Sequence, residues 1–239
     1  MYGLGTIINA AGIVAGSLIG IAFGRFLKER HRETLSTACG ISVIFIGIAG
    51  AMEGMLAVSK EGLTGRNSML VVVALVLGGL IGEIINIDGL VERFGRWLRK
   101  KSGREDDAGF LTGFITASLT VSIGAMAIVG ALEDGINGDW SILAIKSVLD
   151  FIIVMALAGS YGIGTAFSAI PVLMIQGLFT LLAAVIRPIL TDGAMGYLSM
   201  IGSIIIFCVG LNLIRDKKIR VANFVPALII AVAAALLGF

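Results

Sequence analysis

Proline is scarce in this chain, at 3 residues, as are cysteine, at 2, and histidine, at 1. Two cysteines, Cys39 and Cys208, each set in a long apolar run, build no disulfide framework. The lone His31 sits in a charged loop, so no cluster of metal ligands of the zinc kind is present and no cofactor is expected. Charge is also thin, at 14% of the 239 residues, against ~25% in soluble domains. Apolar residues make up 57%, and the mean hydropathy is +1.01. That balance excludes a soluble enzyme, a disordered chain and a nucleic-acid binder. The segment from Met1 to Thr6 carries no basic region, so no cleavable signal peptide is expected.

What is abundant is glycine, at 33 residues, and small residues let membrane helices pack backbone to backbone. A spanning helix needs ~20 mostly apolar residues. Eight segments approach that length: Leu4 to Gly24, Leu35 to Ala57, Met69 to Asp88, Gly109 to Leu132, Ser141 to Gly159, Thr165 to Ile189, Met195 to Ile214 and Phe224 to Phe239. The expected fold is therefore all-α, a polytopic transmembrane bundle forming one domain over residues 1–239. The last segment is short and starts near Pro226, which leaves open a seven-span reading with that segment at the interface.

The basic residues orient the chain. Arg25, Lys28, Arg30 and Arg32 follow the first span. Arg93, Arg96, Arg99, Lys100, Lys101 and Arg104 follow the third, and Arg215, Lys217, Lys218 and Arg220 follow the seventh. Loops of the other parity hold only Lys60, Arg66 and Arg187, and they carry Glu133, Asp134, Asp139 and Asp192. Eight spans with both termini outside fit this pattern. Between spans three and four, Val91, Phe94, Trp97 and Leu98 share one helical face among arginines. They read as an amphipathic helix on the cytoplasmic membrane surface, or else as an ordinary basic loop.

Two internal echoes appear. Gly16-Ser-Leu-Ile-Gly20 with Phe23-Gly-Arg25 resembles Gly78-Gly-Leu-Ile-Gly82 with Phe94-Gly-Arg96. At longer range Gly5-Thr6 matches Gly164-Thr165, Gly40 to Phe45 matches Gly202 to Phe207, and Asn67 matches Asn223. An offset of five spans reverses topology, so the second echo reads as an inverted three-helix repeat. Its halves are residues 1–90 and 160–239, with 108–160 between them. Chance similarity of apolar helices is the competing explanation.

Gly12, Gly16, Gly20 and Gly24 recur every fourth residue and form a packing stripe along span one. Lys146 and Asp150 stand at i and i+4 on one face of span five. A charge at bilayer centre costs ~2.5–3.5 kcal/mol on insertion scales. Such a pair lines a polar path or ties helices together. Span four offers Thr112, Thr116 and Thr120 in one row and Ser118 and Ser122 in the next, hydroxyls that either bond their own helix or face the pair. Span six starts with Gly162, Gly164, Ser168 and Pro171, a broken helix of the sort that forms ion and substrate sites, followed by Gln176. Glu83 with Asn86 and, in span one, Asn9 complete the buried polar candidates, with solvation from the cytoplasmic side as the other reading of Glu83. Motifs of intramembrane metalloproteases, dinucleotide sites and P-loops are absent. An aspartate beside Lys146 opposes a Ser–Lys dyad, so no enzyme activity is expected.

The run Ser122-Ile-Gly-Ala-Met-Ala-Ile-Val-Gly130, with Glu133-Asp-Gly135, Lys146-Ser147 and Asp150, resembles the YdfK/YqgA-type family of uncharacterised bacterial integral membrane proteins. So do Gly162-Ile-Gly164, Phe167-Ser-Ala-Ile-Pro-Val-Leu173 and Gln176-Gly177. The resemblance covers nearly the whole chain. It implies a multi-pass protein of the bacterial cytoplasmic membrane and a transport label, and it supplies no substrate and no site. The leading expectation is transport of a small polar or ionic solute between spans four, five and six by a homo-oligomer in the bilayer. The alternatives are an ion channel and a non-transporting scaffold or sensor subunit.

Overall fold

The computed structural model describes residues 2–24, 26, 28–59, 62–122, 125–186, 191–215 and 219–238. Arg25, Lys60, Arg187, Lys217 and Lys218, five of the residues used to orient the chain, lie outside them. The long apolar runs become helices: α1 (Leu4–Gly24), α2 (Glu29–Met55), α3 (Ser68–Ile85), α4 (Ile87–Lys101), α5 (Phe110–Ser122) and α6 (Ala125–Asn137). Then come α7 (Ser141–Tyr161), a 3-10 segment (Gly162–Ser168), α8 (Ala169–Leu181), α9 (Ala183–Ile186) and α10 (Asp192–Ile214). A second 3-10 turn (Val221–Phe224) leads into α11 (Pro226–Leu236). Among the described residues five helical runs are long and apolar enough to cross a membrane, or six when α5 and α6 are counted as one bent span. The protein is an all-helical, multi-pass membrane bundle. A short hairpin, β1 (Leu56–Ser59) with β2 (Gly62–Gly65), joins α2 to α3 and was not foreseen. Beyond it Arg66 donates to the carbonyls of Glu53 and Gly54, and Asn67 to Gly54, closing the open C-terminal end of α2.

Helix pairing follows the glycines. A Cβ on Gly12 would lie 2.3 Å from the Ser147 hydroxyl, one on Gly16 2.5 Å from the Phe151 carbonyl, and one on Gly20 2.1 Å from the Met155 carbonyl. At Gly24 the nearest group is the Gly159 carbonyl, at 2.8 Å. The stripe therefore faces α7 of the same chain, and the two helices run parallel. The α2–α10 pair is antiparallel, with Gly40 against Gly210–Ile214 and Gly54 against Met200. So is the α3–α11 pair, with Gly78 on Ala227 and Gly82 on Asn223.

The run Ser141–Leu181 has 41 residues, about twice what one crossing needs at ~20. It reverses at Gly162. While α7 climbs alongside α1, the chain beyond Gly162 returns: Thr165 bonds Ser17 at 2.7 Å and Thr180 lies 3.4 Å from Thr6. Gly162 makes the turn with φ +75°, a conformation that side chains disfavour. Gly164 then lets the 3-10 segment touch α5, where a Cβ would fall 2.0 Å from the Phe110 carbonyl. Pro171 occupies the first turn of α8, where a missing N–H costs no intrahelical bond. It marks the change from 3-10 to α geometry rather than a kink within an α-helix.

The fourth span, expected as one helix over Gly109 to Leu132, is two. The helices on either side of Ile123 and Gly124, which lie outside the described residues, are inclined by 62°. The basic connection that follows α3 is helical. As α4 it turns Gly95 and Leu98 onto α5, with Phe94 packed against Phe114, and leaves Arg93 and Arg96 exposed. Elsewhere the burial is inside-out for a water-soluble protein. Ile84, Leu181, Val185 and Ile229 are exposed, while Asn9, Ser17, Lys146 and Asp150 are buried.

Candidate functional site

The spacing of four residues on α7 brings Lys146 and Asp150 together, with Nζ 2.5 Å from Oδ2. They are 7% and 4% exposed, a degree of enclosure at which an ion pair is costly without further partners. One such partner is a backbone carbonyl. Val121 stands one residue before Ser122, where the described part of α5 ends. Lys146 Nζ donates to its carbonyl at 2.8 Å. The ammonium thus bridges Asp150 and the backbone of α5, the first limb of the bent span.

The glycine stripe supplies the next neighbour. Because Gly12 and Gly16 let α1 touch α7, Ser147 donates to the Ile8 carbonyl at 3.1 Å, and Asn9 comes within reach of the Asp150 carboxylate. Asn9 is fully buried, with its amide facing the Asp150 carboxylate. Both amide atoms of Gln176 on α8 and the hydroxyls of Ser118 and Ser122 on α5 are buried without a hydrogen-bond partner among the described residues. An unmade buried hydrogen bond costs ~1–3 kcal/mol. These are therefore the groups of the bundle best placed to receive a water or a solute.

Other predicted residues are already occupied. Ser168 donates to the Thr165 carbonyl at 2.7 Å, and Thr165 donates to the Gly162 carbonyl at 2.8 Å while accepting from Ser17. Thr120 donates to Thr116 within its own helix. Glu83 does not join the site. It lies at the end of α3, half-exposed, paired with Arg220 and accepting from Asn223 at 2.6 Å. Asn223 also accepts from the Asp88 amide at 2.7 Å, while Asn86 accepts from Gly89 at the start of α4. Burial raises the Asp88 carboxyl above its ordinary range, against the lowering influence of a backbone hydrogen bond at Ala222 and of Arg220.

Three participants escaped the sequence reading. The Val121 carbonyl carries no side-chain signal. Asp134, expected in an outer loop, is fully buried and accepts from the Gly3 and Gly5 amides at 3.2 and 2.9 Å, neutralising the positive end of α1. Asn223 ties the exposed network together. No group of three or more metal-ligating side chains occurs among the described residues.

A cavity of about 720 Å³ opens between α4, α5, α8 and α11. Its wall is apolar apart from Ser118 and Ser122, and it includes Pro171, Ile175 and Phe94. Lys146 and Asp150 do not line it. The charged pair, itself buried, is therefore separate from the cavity.

The profile of a family described as "Protein of unknown function (DUF554)" matches residues 4–236. The chain is 32% identical over 226 residues to "Uncharacterized membrane protein YdfK" of Bacillus subtilis (strain 168), covering 95% of this chain and 93% of that protein. It is 32% identical over 235 residues to "Uncharacterized protein YqgA" of Escherichia coli (strain K12), covering 95% and 94%. No solved structure matches.

Proposed function

We propose a function from the premise that this chain belongs to the DUF554 family, a membrane-protein family without an assigned activity. The reading is transport of a small polar or ionic solute along a path between the bent pair α5–α6, α7 and the returning segment Gly162–Leu181. One observation carries it: an enclosed Lys146–Asp150 pair hydrogen-bonded to a backbone carbonyl of a span that bends by 62°. Broken helices at membrane depth persist where they face protein or a cavity, and they build the solute sites of secondary transporters. The unpartnered groups of Gln176, Ser118 and Ser122, with Asn9 beside Asp150, support the same reading. In it Asp150 takes a proton or cation, Lys146 meets anionic charge, and Gln176 and Ser122 offer neutral ligands.

Alternating access rather than a fixed pore is supported by the pairing of the halves. Helix α1 is antiparallel to the Gly162–Leu181 segment, α2 to α10 and α3 to α11. That is the arrangement expected of an inverted repeat about an axis in the membrane plane. The proposal includes eight crossings in a bacterial cytoplasmic membrane, both termini outside, a homo-oligomeric assembly and no enzymatic role.

The test is a panel of small polar solutes and ions on proteoliposomes under pH and sodium gradients, with Asp150→Asn and Lys146→Ala. A solute whose uptake is lost in both variants supports the path. Uptake retained in both removes the proposed site, and silence across the panel favours a scaffold role.

A further inference from the structure

We infer that the ammonium of Lys146 is a tethered occupant of a monovalent-cation site, standing where a transporter of the proposed kind would bind a small metal cation. Two oxygens define the site. One is the Val121 carbonyl of α5, 2.8 Å from Nζ. The other is the Asp150 carboxylate, 2.5 Å from Nζ. A backbone carbonyl together with a carboxylate offers hard oxygens of the kind that bind a sodium ion. Asn9, fully buried, faces the same carboxylate from α1.

Asp150 is 4% exposed, and the cation that faces it is Lys146 from its own helix. Removing the lysine side chain leaves a space between a carboxylate and a carbonyl. Burying an ionised carboxylate without a partner is strongly unfavourable, so a small cation that enters the space holds Asp150 ionised. The wild-type protein needs no metal cation to hold this site together. The comparison with a transporter rests on the proposed function, but the site itself does not.

The experiment is therefore a binding measurement. Purified wild type, Lys146→Ala and Lys146→Met are melted in detergent at constant ionic strength in sodium, lithium, potassium and choline chlorides. Wild type is expected to melt at the same temperature in all four. Lys146→Ala is expected to gain a saturable rise in Tm of about 3 °C or more in sodium or lithium over choline. Adding Asp150→Asn to it abolishes the rise. Lys146→Met fills the space with a methyl thioether and is expected to show a smaller rise or none.

An alanine variant equally stable in every salt overturns the inference, as does a wild type stabilised by sodium. If Lys146→Ala fails to fold in choline but is recovered by sodium, the inference stands. If it stays unfolded at every sodium concentration, the inference fails. Because no transport is measured, a failed uptake panel leaves this result untouched. Absence of the sodium effect in turn leaves the uptake role of Asp150 to be judged by its own assay.

Discussion

Two places in this bundle are built from the same three chemical groups, a carboxylate, a cation and an asparagine amide. On α7 they are Asp150, Lys146 and, from α1, Asn9. At the end of α3 they are Glu83, Arg220 and Asn223. The side chains of the first ion pair are 8% and 5% exposed, those of the second 63% and 54%. In the exposed set the asparagine is fully used, donating to Glu83 and accepting from Asp88. Water screens the charges, and the result is a tether between α3 and the Val221–Phe224 turn. In the enclosed set the asparagine faces the carboxylate alone, and the lysine reaches the Val121 carbonyl instead of water. The chemistry is the same, but burial turns a surface clasp into a high-stakes network that leaves hydrogen-bonding capacity unspent.

The contrast predicts a ladder of effects. Lys146→Met strands the Asp150 carboxylate. In a medium without small cations it is expected to lower stability by about 3–5 kcal/mol. The double variant Lys146→Met with Asp150→Leu is expected to recover most of that loss, read as Tm in detergent. A double variant no more stable than the single one would mean that the pair holds the bundle together on its own account. Gln176→Met removes an unpartnered buried amide, and it is expected to raise stability by about 1–2 kcal/mol while lowering solute uptake. A loss of stability instead would show that the amide is already satisfied. Glu83→Gln, at the exposed end, is expected to cost at most about 1 kcal/mol, an effect that shrinks as salt is added. If it costs as much as Lys146→Met, the distinction drawn between the two regions fails.

The sequence carried the charged pair, the glycine stripe and the turn at Gly162, because each rests on local spacing or on one residue's conformational range. The i, i+4 step of Lys146 and Asp150 needs no partner helix to be seen, and Gly162 is legible as a position that favours glycine. What stayed hidden depends on tertiary neighbours. The break between α5 and α6 falls in an apolar run where one glycine among many gives no distinguishing signal. Glu83 stays open between a buried and a solvated reading in the sequence, because its burial depends on how far α3 extends and on a turn some 140 residues later. Asp134 reads as a loop carboxylate until α1 is brought against it.

The central claim is that the broken fourth span beside Lys146 and Asp150 is reached from water during the protein's working cycle. Ser122, the last residue of α5, reports on it directly. In a background of Cys39→Ser and Cys208→Ser, a Ser122→Cys variant is to be exposed in intact vesicles to a small membrane-impermeant thiol reagent from either side. The account predicts labelling, with a rate that changes when Asp150→Asn is added. A Ser122→Cys thiol that stays inert from both sides, while a control cysteine at exposed Leu63 reacts, would show the pair to be sealed core and contradict the account.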